Sequence, residues 1–463
     1  MVTDAAAELT TRWRDLLGPR HLGASTVLAG GVLLYATNEF LTISLLPSTV
    51  RQIGGERYYA WVTTVYLVAS VVAATTVGGL VTKLGPRAAY LWSLGLFMTG
   101  SVGCALAPNM ELLLVGRVVQ GAAGGALAGL GYAVINSALP QSLWPKASAL
   151  VSAMWGVGTL LGPVTGGFFA QIGLWRWAFG ALAILTAAVA VLVPLSLPGR
   201  SSEVDSSPMR IPLWSLLILG SAALSISAAG VQSRMLLMVG LLVVGVVLVG
   251  VFVVVDRRLP VGVLPKAAFR PGAFKWNYVT LGLLMAATMA DMYVPLFGQQ
   301  LAHLVPLTAG FLGVALSIGW TAGEVASASV GSPQRVVWIV RFAPVVMTVG
   351  LAAMSLSQRD DAPPATVAVW ALSMLIAGVG VGMAWPHLST WAMSGVDDPV
   401  EGPVAAAAIS TVQLICGAFG AGVAGIVVNA VGRSDDVAAR WLFAVFTALS
   451  VVTVIAAYRA GRR

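Results

Sequence analysis

The sequence has little charge and almost no cysteine or histidine. Only 10% of its 463 residues are charged and 58% are hydrophobic, and the mean hydropathy is +0.89. Soluble domains carry roughly 25% charged residues, so a chain of several soluble domains is excluded. Two cysteines inside apolar runs and three scattered histidines exclude a disulfide framework and a zinc site, and we expect no metal and no cofactor. The composition indicates a multi-pass membrane protein.

Fourteen apolar runs are each long enough to cross a hydrocarbon core of ~30 Å as a helix. They cover residues 24–47, 59–82, 88–107, 112–136, 147–170, 177–197, 211–230, 235–255, 277–298, 307–328, 335–356, 365–394, 404–430 and 439–458. Their order predicts an all-α protein with six helices, an inserted pair and six more. We divide the chain into an N-terminal segment (1–23), a six-helix bundle (24–200), a linker with two extra helices (201–275) and a second six-helix bundle (276–463).

The basic residues are distributed unequally between the two sides of the membrane. With the N-terminus inside, eighteen of the 26 lysines and arginines fall in cytoplasmic segments and seven in external ones. This bias predicts that both termini are cytoplasmic. The first 21 residues are polar and mixed in charge, so we expect no cleavable signal peptide. The net charge of +8 then reflects topology rather than nucleic-acid binding, and we expect a multi-pass protein of the bacterial inner membrane.

Three motifs lie in order on or beside the predicted spans. Residues 116–125 of span four read GRVVQGAAGG, residues 156–167 of span five read GVGTLLGPVTGG, and WRWAF follows at 175–179. These motifs resemble the R-x-x-Q-G element, the antiporter motif and the W-R-W-x-F of the major facilitator superfamily, in particular its fourteen-helix drug:proton antiporter branch. The resemblance covers nearly the whole chain. It implies two six-helix bundles that rock around a site near the middle of the membrane.

The antiporter motif has a physical basis in its glycines. Gly158, Gly162 and Gly166 recur every four residues and form one smooth helix face, while Pro163 permits a bend. Gly167 is the last residue of the motif, and the resemblance implies that the glycine face packs against the opposite half near the outer gate, which would favour export. An ordinary small-residue packing seam is the alternative.

The loop after span two is a degraded form of another family motif. Residues 78–87 read GGLVTKLGPR and keep Gly79, Lys83, Gly85 and Arg87. The resemblance implies an acidic residue where Thr82 stands, and that acid would help to latch the two halves on the cytoplasmic side. Its absence leaves two interpretations of Lys83 and Arg87, as part of a weakened latch or as charges that only set the topology.

Three acidic residues lie within predicted spans, and a charge in hydrocarbon needs a cavity or a partner. Glu39 in span one and Asp291 in span nine lie at similar depth and are predicted to face one central cavity. The resemblance implies that a first-helix acid serves proton coupling or binds a cationic substrate. The family's usual acid matches Asn38, however, one residue from Glu39. A neutral, hydrogen-bonded carboxyl is the alternative for either acid.

Two further charged positions have predicted partners or roles. Glu324 and Arg341 lie at equal distances from the turn between spans ten and eleven, so we predict a structural ion pair between them. Arg117 lies within span four, next to Gln120. The resemblance implies that Arg117 takes part in proton transfer near the first helix, and a purely structural arginine bonded to backbone carbonyls is the alternative.

The predicted substrate site combines aromatic, sulfur-containing and polar side chains near the middle of the membrane. Its residues are Tyr35, Asn38, Glu39, Gln120, Trp155, Met289, Asp291, Tyr293, Trp385 and His387, with Glu39, Asp291 and Arg117 as candidates for proton coupling. The sequence contains no ATP-binding loop and no arrangement of nucleophile and base, so we expect no enzyme.

These observations predict a proton-coupled exporter of amphipathic, cationic drugs or metabolites. Two alternatives stay open: a proton-coupled exporter of a lipid or dedicated metabolite, and a non-transporting receptor or assembly protein on a transporter scaffold. The expected partners are the bilayer, a small amphipathic substrate and protons, with no nucleic acid, and we expect a monomer.

The charge bias generates a test of the topology. Single cysteines in place of Ser201 and Arg463 should react with a membrane-impermeant maleimide only after the cytoplasmic side is exposed. Labelling is measured in intact cells and in inverted vesicles, with a cysteine at Arg359, in the predicted external loop, as the opposite control. Labelling of either cytoplasmic site in intact cells would contradict the fourteen-span topology.

Overall fold

The computed structural model describes residues 13–140, 143–197, 199, 212–232, 234–259, 262–270, 272–328, 330, 332–394, 402–431 and 434–461. These residues form helices joined by short turns, and none of them is in a β-strand. Residues 1–12 of the predicted N-terminal segment and residues 200–211 around the start of the predicted linker lie outside the described residues.

Fourteen helical segments carry the fold, and we number them α1 to α14. They are Leu22–Ile53, Tyr59–Leu84, Pro86–Leu106, Met110–Ala133, Trp144–Gln171, Trp175–Ser196, Leu213–Ala229, Met235–Arg258, Ala273–Leu301, Pro306–Ala328, Pro333–Leu356, Pro364–Ser394, Gly402–Val431 and Asp435–Ala460. Within α9, Met289–Tyr293 form a 3₁₀ turn between two α-helical parts.

Each helix coincides with one of the fourteen apolar runs, in the same order. Among the described residues, twelve segments are long and apolar enough to cross a membrane, and α7 is a shorter apolar helix of 17 residues. The all-helical prediction is therefore confirmed. The exact number of spans and the cytoplasmic placement of both termini stay predictions.

The second set of six helices repeats the packing of the first. In the N-terminal bundle α2 and α3 pack on α4, and α6 packs on α3; in the C-terminal bundle α10 and α11 pack on α12, and α14 packs on α11. The bundles meet through α2 against α13 and through α5 against α10. Because these two contacts exchange equivalent helices, the bundles are related by a pseudo-twofold axis between them.

The chain breaks sharply between α2 and α3. Gly85 has a φ of 80°, in the region that glycine adopts without a steric penalty, and it is followed by Pro86 at the first position of α3. The glycine ends one helix and the proline begins the next, so this part of the loop motif sets the direction of α3.

The predicted ion pair between Glu324 and Arg341 is wrong. The Glu324 carboxylate accepts a hydrogen bond of 3.2 Å from the indole of Trp320 in its own helix. Arg341 instead donates to the carbonyl of Gly461 at 3.0 Å and lies over the ring of Tyr458. The reason is that α12 lies between α10 and α11, so two helices that are adjacent in sequence and equal in depth are not neighbours in space.

The inserted helix α7 lies between the two bundles, against α2 on one side and α13 on the other. The indole of Trp61 donates to the carbonyl of Ser227 at 2.9 Å, and the Ser227 hydroxyl bonds Thr64 at 2.9 Å. On the other side, the Asn429 amide donates to the carbonyl of Gly230 at 3.0 Å. By contrast, α8 packs on α7 and is mostly exposed. The inserted pair therefore covers one lateral gap between the bundles.

The glycine seam of α5 packs within its own bundle, so the implied contact of this face with the opposite half is wrong. Gly158, Gly162 and Gly166 face α1 at Ala36, Phe40 and Leu41. The next residue, Gly167, instead faces the C-terminal bundle, against Leu307 of α10. Successive residues of a helix differ in direction by about 100°, which explains why Gly167 points away from the seam.

Substitution of Gly162 should therefore separate α1 from α5. A Cβ at this position would lie 2.8 Å from the backbone nitrogen of Leu41, so Gly162→Ala must shift the helix backbones and should cost about 1–3 kcal/mol. A Cβ on Gly156, in the same helix, would meet nothing within 4 Å, and Gly156→Ala is the matched control. Thermal unfolding in detergent measures both variants; equal melting temperatures would contradict the close packing of this seam.

Candidate functional site

Arg117 forms the centre of the polar site in the N-terminal bundle. It projects from α4, and only 1% of its surface is exposed. Its Nη1 donates to Asn38 Oδ1 at 3.2 Å and to Gln120 Oε1 at 2.9 Å, and its Nε donates to the carbonyl of Val62 at 3.2 Å. The guanidinium carbon lies 4.0 Å from the centre of the Tyr66 ring. The guanidinium thus joins α4 to α1 and α2.

The partners of this buried cation are neutral. Gln120 is itself held by Ser101, to which its amide donates at 2.9 Å. Among the described residues, no carboxylate oxygen lies within 4.0 Å of a nitrogen of Arg117. Since a charge in a membrane interior needs compensation, amide and carbonyl dipoles and the face of Tyr66 supply it here.

Asn38 and Glu39 are neighbours in α1, but only Asn38 is bonded to Arg117. Asn38 points towards Arg117 and is fully buried. Glu39 is half-buried, forms no hydrogen bond or ion pair with a described residue, and lies close enough to Arg117 for the two charges to interact. The one-residue displacement from the family position therefore leaves the carboxylate beside the arginine site without a bond to the guanidinium.

Aromatic side chains from three helices form a cluster next to Glu39. The ring of Tyr35 stacks on that of Tyr66, with 5.7 Å between the ring centroids, and lies edge-on to the ring of Trp155, with 5.2 Å between the centroids. Met289 from α9 packs against the same cluster, so both bundles contribute to it. Tyr35 precedes Glu39 by one helical turn, which places the carboxylate on the cluster's side of α1. Four predicted site residues are thus brought together here.

Asp291 and Tyr293 occupy the 3₁₀ turn in α9. The Oδ1 atom of Asp291 and the hydroxyl of Tyr293 are buried without a hydrogen-bond partner among the described residues. The Tyr293 ring stacks on Tyr59 of α2 at 4.7 Å. These two predicted residues therefore lie near the contact between the bundles, and Tyr293 belongs to that contact rather than to the cluster around Tyr35.

The bundles meet on the side of the membrane opposite to the start of α1 and the end of α14. At the end of α1, Arg51 Nη2 donates to Gln299 Oε1 of α9 at 3.0 Å. Gly167 packs against Leu307, and the carbonyl of Pro163 lies against Gly310 of α10. The antiporter motif therefore contributes to this closure through Gly167 and Pro163.

Trp385 and His387 lie elsewhere, in the C-terminal bundle. The ring of Trp385 lies 5.0 Å from that of Trp320. His387 is 8% exposed and interacts with the backbone of Ser327. The structure groups these two residues with Glu324, apart from the cluster around Tyr35.

The loop motif after α2 serves its own bundle. Arg87 Nε donates to the carbonyl of Leu197 at the end of α6, at a distance of 3.0 Å. Lys83 is exposed. Gly79 lies in α2, and its surroundings are outside the described part of the chain.

Several residues of the closed side were not identified from the sequence. They are Arg51, Tyr59 and Gln299 between the bundles, and Trp61, Ser227 and Asn429 around α7. Their polar or aromatic character near helix ends was a weak indication in the sequence, because such residues are common at membrane interfaces.

The arginine site generates a stability prediction. Gln120→Ala removes the acceptor for Arg117 and the donor to Ser101, and hydrogen bonds to charged groups contribute about 1.5–3 kcal/mol each. We expect a melting temperature several degrees lower than that of Gln300→Ala, the control variant at an exposed position. Thermal unfolding in detergent measures the difference, and equal stability of the two variants would show that Gln120 does not hold the guanidinium.

Comparison with known proteins identifies the family. Residues 28–421 match the model of the Major Facilitator Superfamily. The chain is 56% identical over 468 residues to a probable multidrug-efflux transporter of Mycobacterium tuberculosis, covering 100% of this chain and 99% of that protein. It is 24% identical to multidrug resistance protein 3 of Bacillus subtilis, over 80% of this chain and 73% of that one.

Solved structures agree on the fold. The crystal structure of a D-xylose-proton symporter matches with a TM-score of 0.66 at 14% identity, over 95% of this chain and 97% of that chain. A nucleoside transporter matches with a TM-score of 0.65 at 14% identity, over 96% and 99%. The two bundles, the apolar helices and the family match lead to one conclusion: the chain is a multi-pass membrane transporter of the major facilitator superfamily, and not an enzyme.

Proposed function

We propose that this transporter is a proton-coupled exporter that exchanges protons for amphipathic, cationic drugs or metabolites. One observation carries the proposal: the Glu39 carboxylate lies beside the aromatic cluster of Tyr35 and Trp155 and has no fixed partner among the described residues. A carboxylate next to aromatic rings can bind either a proton or an organic cation. Competition between the two is the basis of an exchange mechanism.

In this mechanism the two ligands bind to Glu39 in alternation. When the site faces the cytoplasm, the cation binds the carboxylate and the proton leaves to the cytoplasm. When the site faces outside, a proton binds to Glu39, the carboxyl becomes neutral and the cation dissociates. The hydrogen bonds of Arg117 go to neutral side chains, so its charge stays available to the site in both states. A more acidic exterior therefore drives export.

Asp291 would complement the cation from the second bundle. Its buried Oδ1 lacks a partner, and the 3₁₀ turn places it beside the contact of α9 with α2. Protonation or cation binding at this position would change the packing where the bundles meet. With the termini in the cytoplasm, the contacts described above close the external side, and the site would be reached from the cytoplasm.

Relatives and packing favour a small substrate over a lipid. The mycobacterial and Bacillus relatives carry names that refer to multidrug efflux or resistance. The helix α7 covers the gap between α2 and α13, so a lipid would have to reach the site between α5 and α10.

The boundaries of the predicted domains, the monomeric state and the proton as coupling ion belong to this proposal.

The coupling role of Glu39 can be tested in liposomes. Glu39→Gln should lower ethidium transport driven by a pH gradient on the order of tenfold or more, because the amide cannot exchange a proton. Glu56→Gln, at an exposed position between α1 and α2, is the control and should transport like the wild type. Equal expression and melting temperature establish that Glu39→Gln is folded. Full gradient-driven transport by this variant would exclude Glu39 as the coupling site.

A further inference from the structure

The C-terminal bundle contains a second acidic and aromatic cluster, formed by Trp320, Glu324 and Trp385. Trp320 Nε1 donates to Glu324 Oε2 at 3.2 Å, and the Trp320 ring lies 5.0 Å from the ring of Trp385. All three side chains are half-buried. We call this group the α10–α12 cluster.

Glu324 has no cationic partner in the described part of the chain. The one ion pair found there joins His303 to Asp361, beside the start of α10, whereas Glu324 lies near the end of that helix. Arg341, which the sequence had suggested, is bonded to Gly461, and His387 interacts with the backbone of Ser327. The second carboxylate oxygen, Oε1, accepts no hydrogen bond from a described residue. Glu324 is therefore an acid in a membrane helix whose one described side-chain partner is the neutral indole of Trp320, and this arrangement leaves the charge open to a cationic ligand.

The position of Glu324 on α10 directs it towards the N-terminal bundle. Gly310 on the same helix lies against Ser44 and Pro163 of that bundle. Glu324 follows Gly310 by fourteen residues, which is about four complete turns, so both residues lie on nearly the same face. Gly310 lies at the closed side, and Glu324 lies near the other end of α10, on the side where α1 begins.

The fold itself does not require these side chains. In each bundle two glycines bring a pair of helices into close contact: Gly121 and Gly125 lie against the carbonyls of Tyr66 and Ser70, and Gly378 and Gly382 lie against those of Leu316 and Trp320. By this correspondence, Glu324 is equivalent to Ala74 and Trp385 to Ala128. The N-terminal bundle has the same packing with methyl groups at both places, so the acid and the indole are additions to the C-terminal bundle.

We infer that the α10–α12 cluster is a second binding subsite, which takes a lipophilic monovalent organic cation through the Glu324 carboxylate and the indole rings of Trp320 and Trp385. Indole faces attract organic cations, and a carboxylate supplies the opposite charge. A single carboxylate provides too few oxygen ligands for a divalent metal ion. The inference rests on the proposed function, because it assigns a subsite for the cationic substrate on the second bundle, separate from Glu39.

Equilibrium binding to the purified full-length protein in nanodiscs tests this subsite without a proton gradient. The probe is tetraphenylphosphonium, and the neutral comparison compound is triphenylphosphine oxide. Glu324→Gln should weaken tetraphenylphosphonium binding roughly tenfold while changing triphenylphosphine oxide binding little. Glu111→Gln, an exposed acid at the start of α4, should leave both affinities unchanged. An unchanged affinity of Glu324→Gln, or an equal loss for both compounds, overturns the inference.

Two indole variants keep the test decisive if Glu324→Gln does not fold. Trp385→Leu removes one ring, and Trp320→Phe removes the hydrogen bond to the carboxylate; each should weaken tetraphenylphosphonium binding several-fold, and unchanged binding in both overturns the subsite. If the wild type does not bind tetraphenylphosphonium, the cationic substrate of the proposed function fails as well. If Glu39→Gln retains full gradient-driven transport while Glu324→Gln loses tetraphenylphosphonium binding, the coupling proposal fails and the subsite stands.

Discussion

The charge of Arg117 inside the membrane constrains much of the N-terminal bundle. A guanidinium in hydrocarbon is unfavourable unless each donor finds a partner, and here the partners come from α1, α2 and α4. These helices must stay in register for Asn38, Val62 and Gln120 to reach it. The same arrangement directs Asn38 towards the cation and leaves Glu39 beside it. The positions of the charged groups in the site therefore follow from which side chains and carbonyls bond to Arg117.

Close contact between helices is the second constraint, and glycine provides it in both bundles. In membranes, helices associate through van der Waals packing of small residues rather than through the hydrophobic effect. The contacts of Gly121 and Gly125 with α2 are repeated by those of Gly378 and Gly382 with α10. This shared frame gives the pseudo-twofold symmetry, and the polar residues break it. Arg117 is buried within one bundle and Glu324 belongs to the other, so the two halves differ in the charges that they carry within the membrane.

The inserted helices affect the route to the site more than its chemistry. Because α7 is bonded to both α2 and α13, one lateral gap between the bundles is occupied by protein. Rocking of the bundles must then involve movement of α7 along at least one of them. The contacts between α5 and α10 face the other lateral gap, and α10 is also the helix that carries Glu324.

The sequence alone determined the fourteen helical segments, because long apolar runs between short polar turns can satisfy their backbone hydrogen bonds in a membrane only as helices. It also determined the family and the small number of membrane charges, since Glu39, Arg117, Asp291 and Glu324 stand out against an apolar background. Tertiary structure decided which charges meet. Equal depth suggested a pair of Glu324 with Arg341, but α12 separates their helices; sequence spacing gives position along a helix, whereas the neighbour across it depends on how all the helices pack.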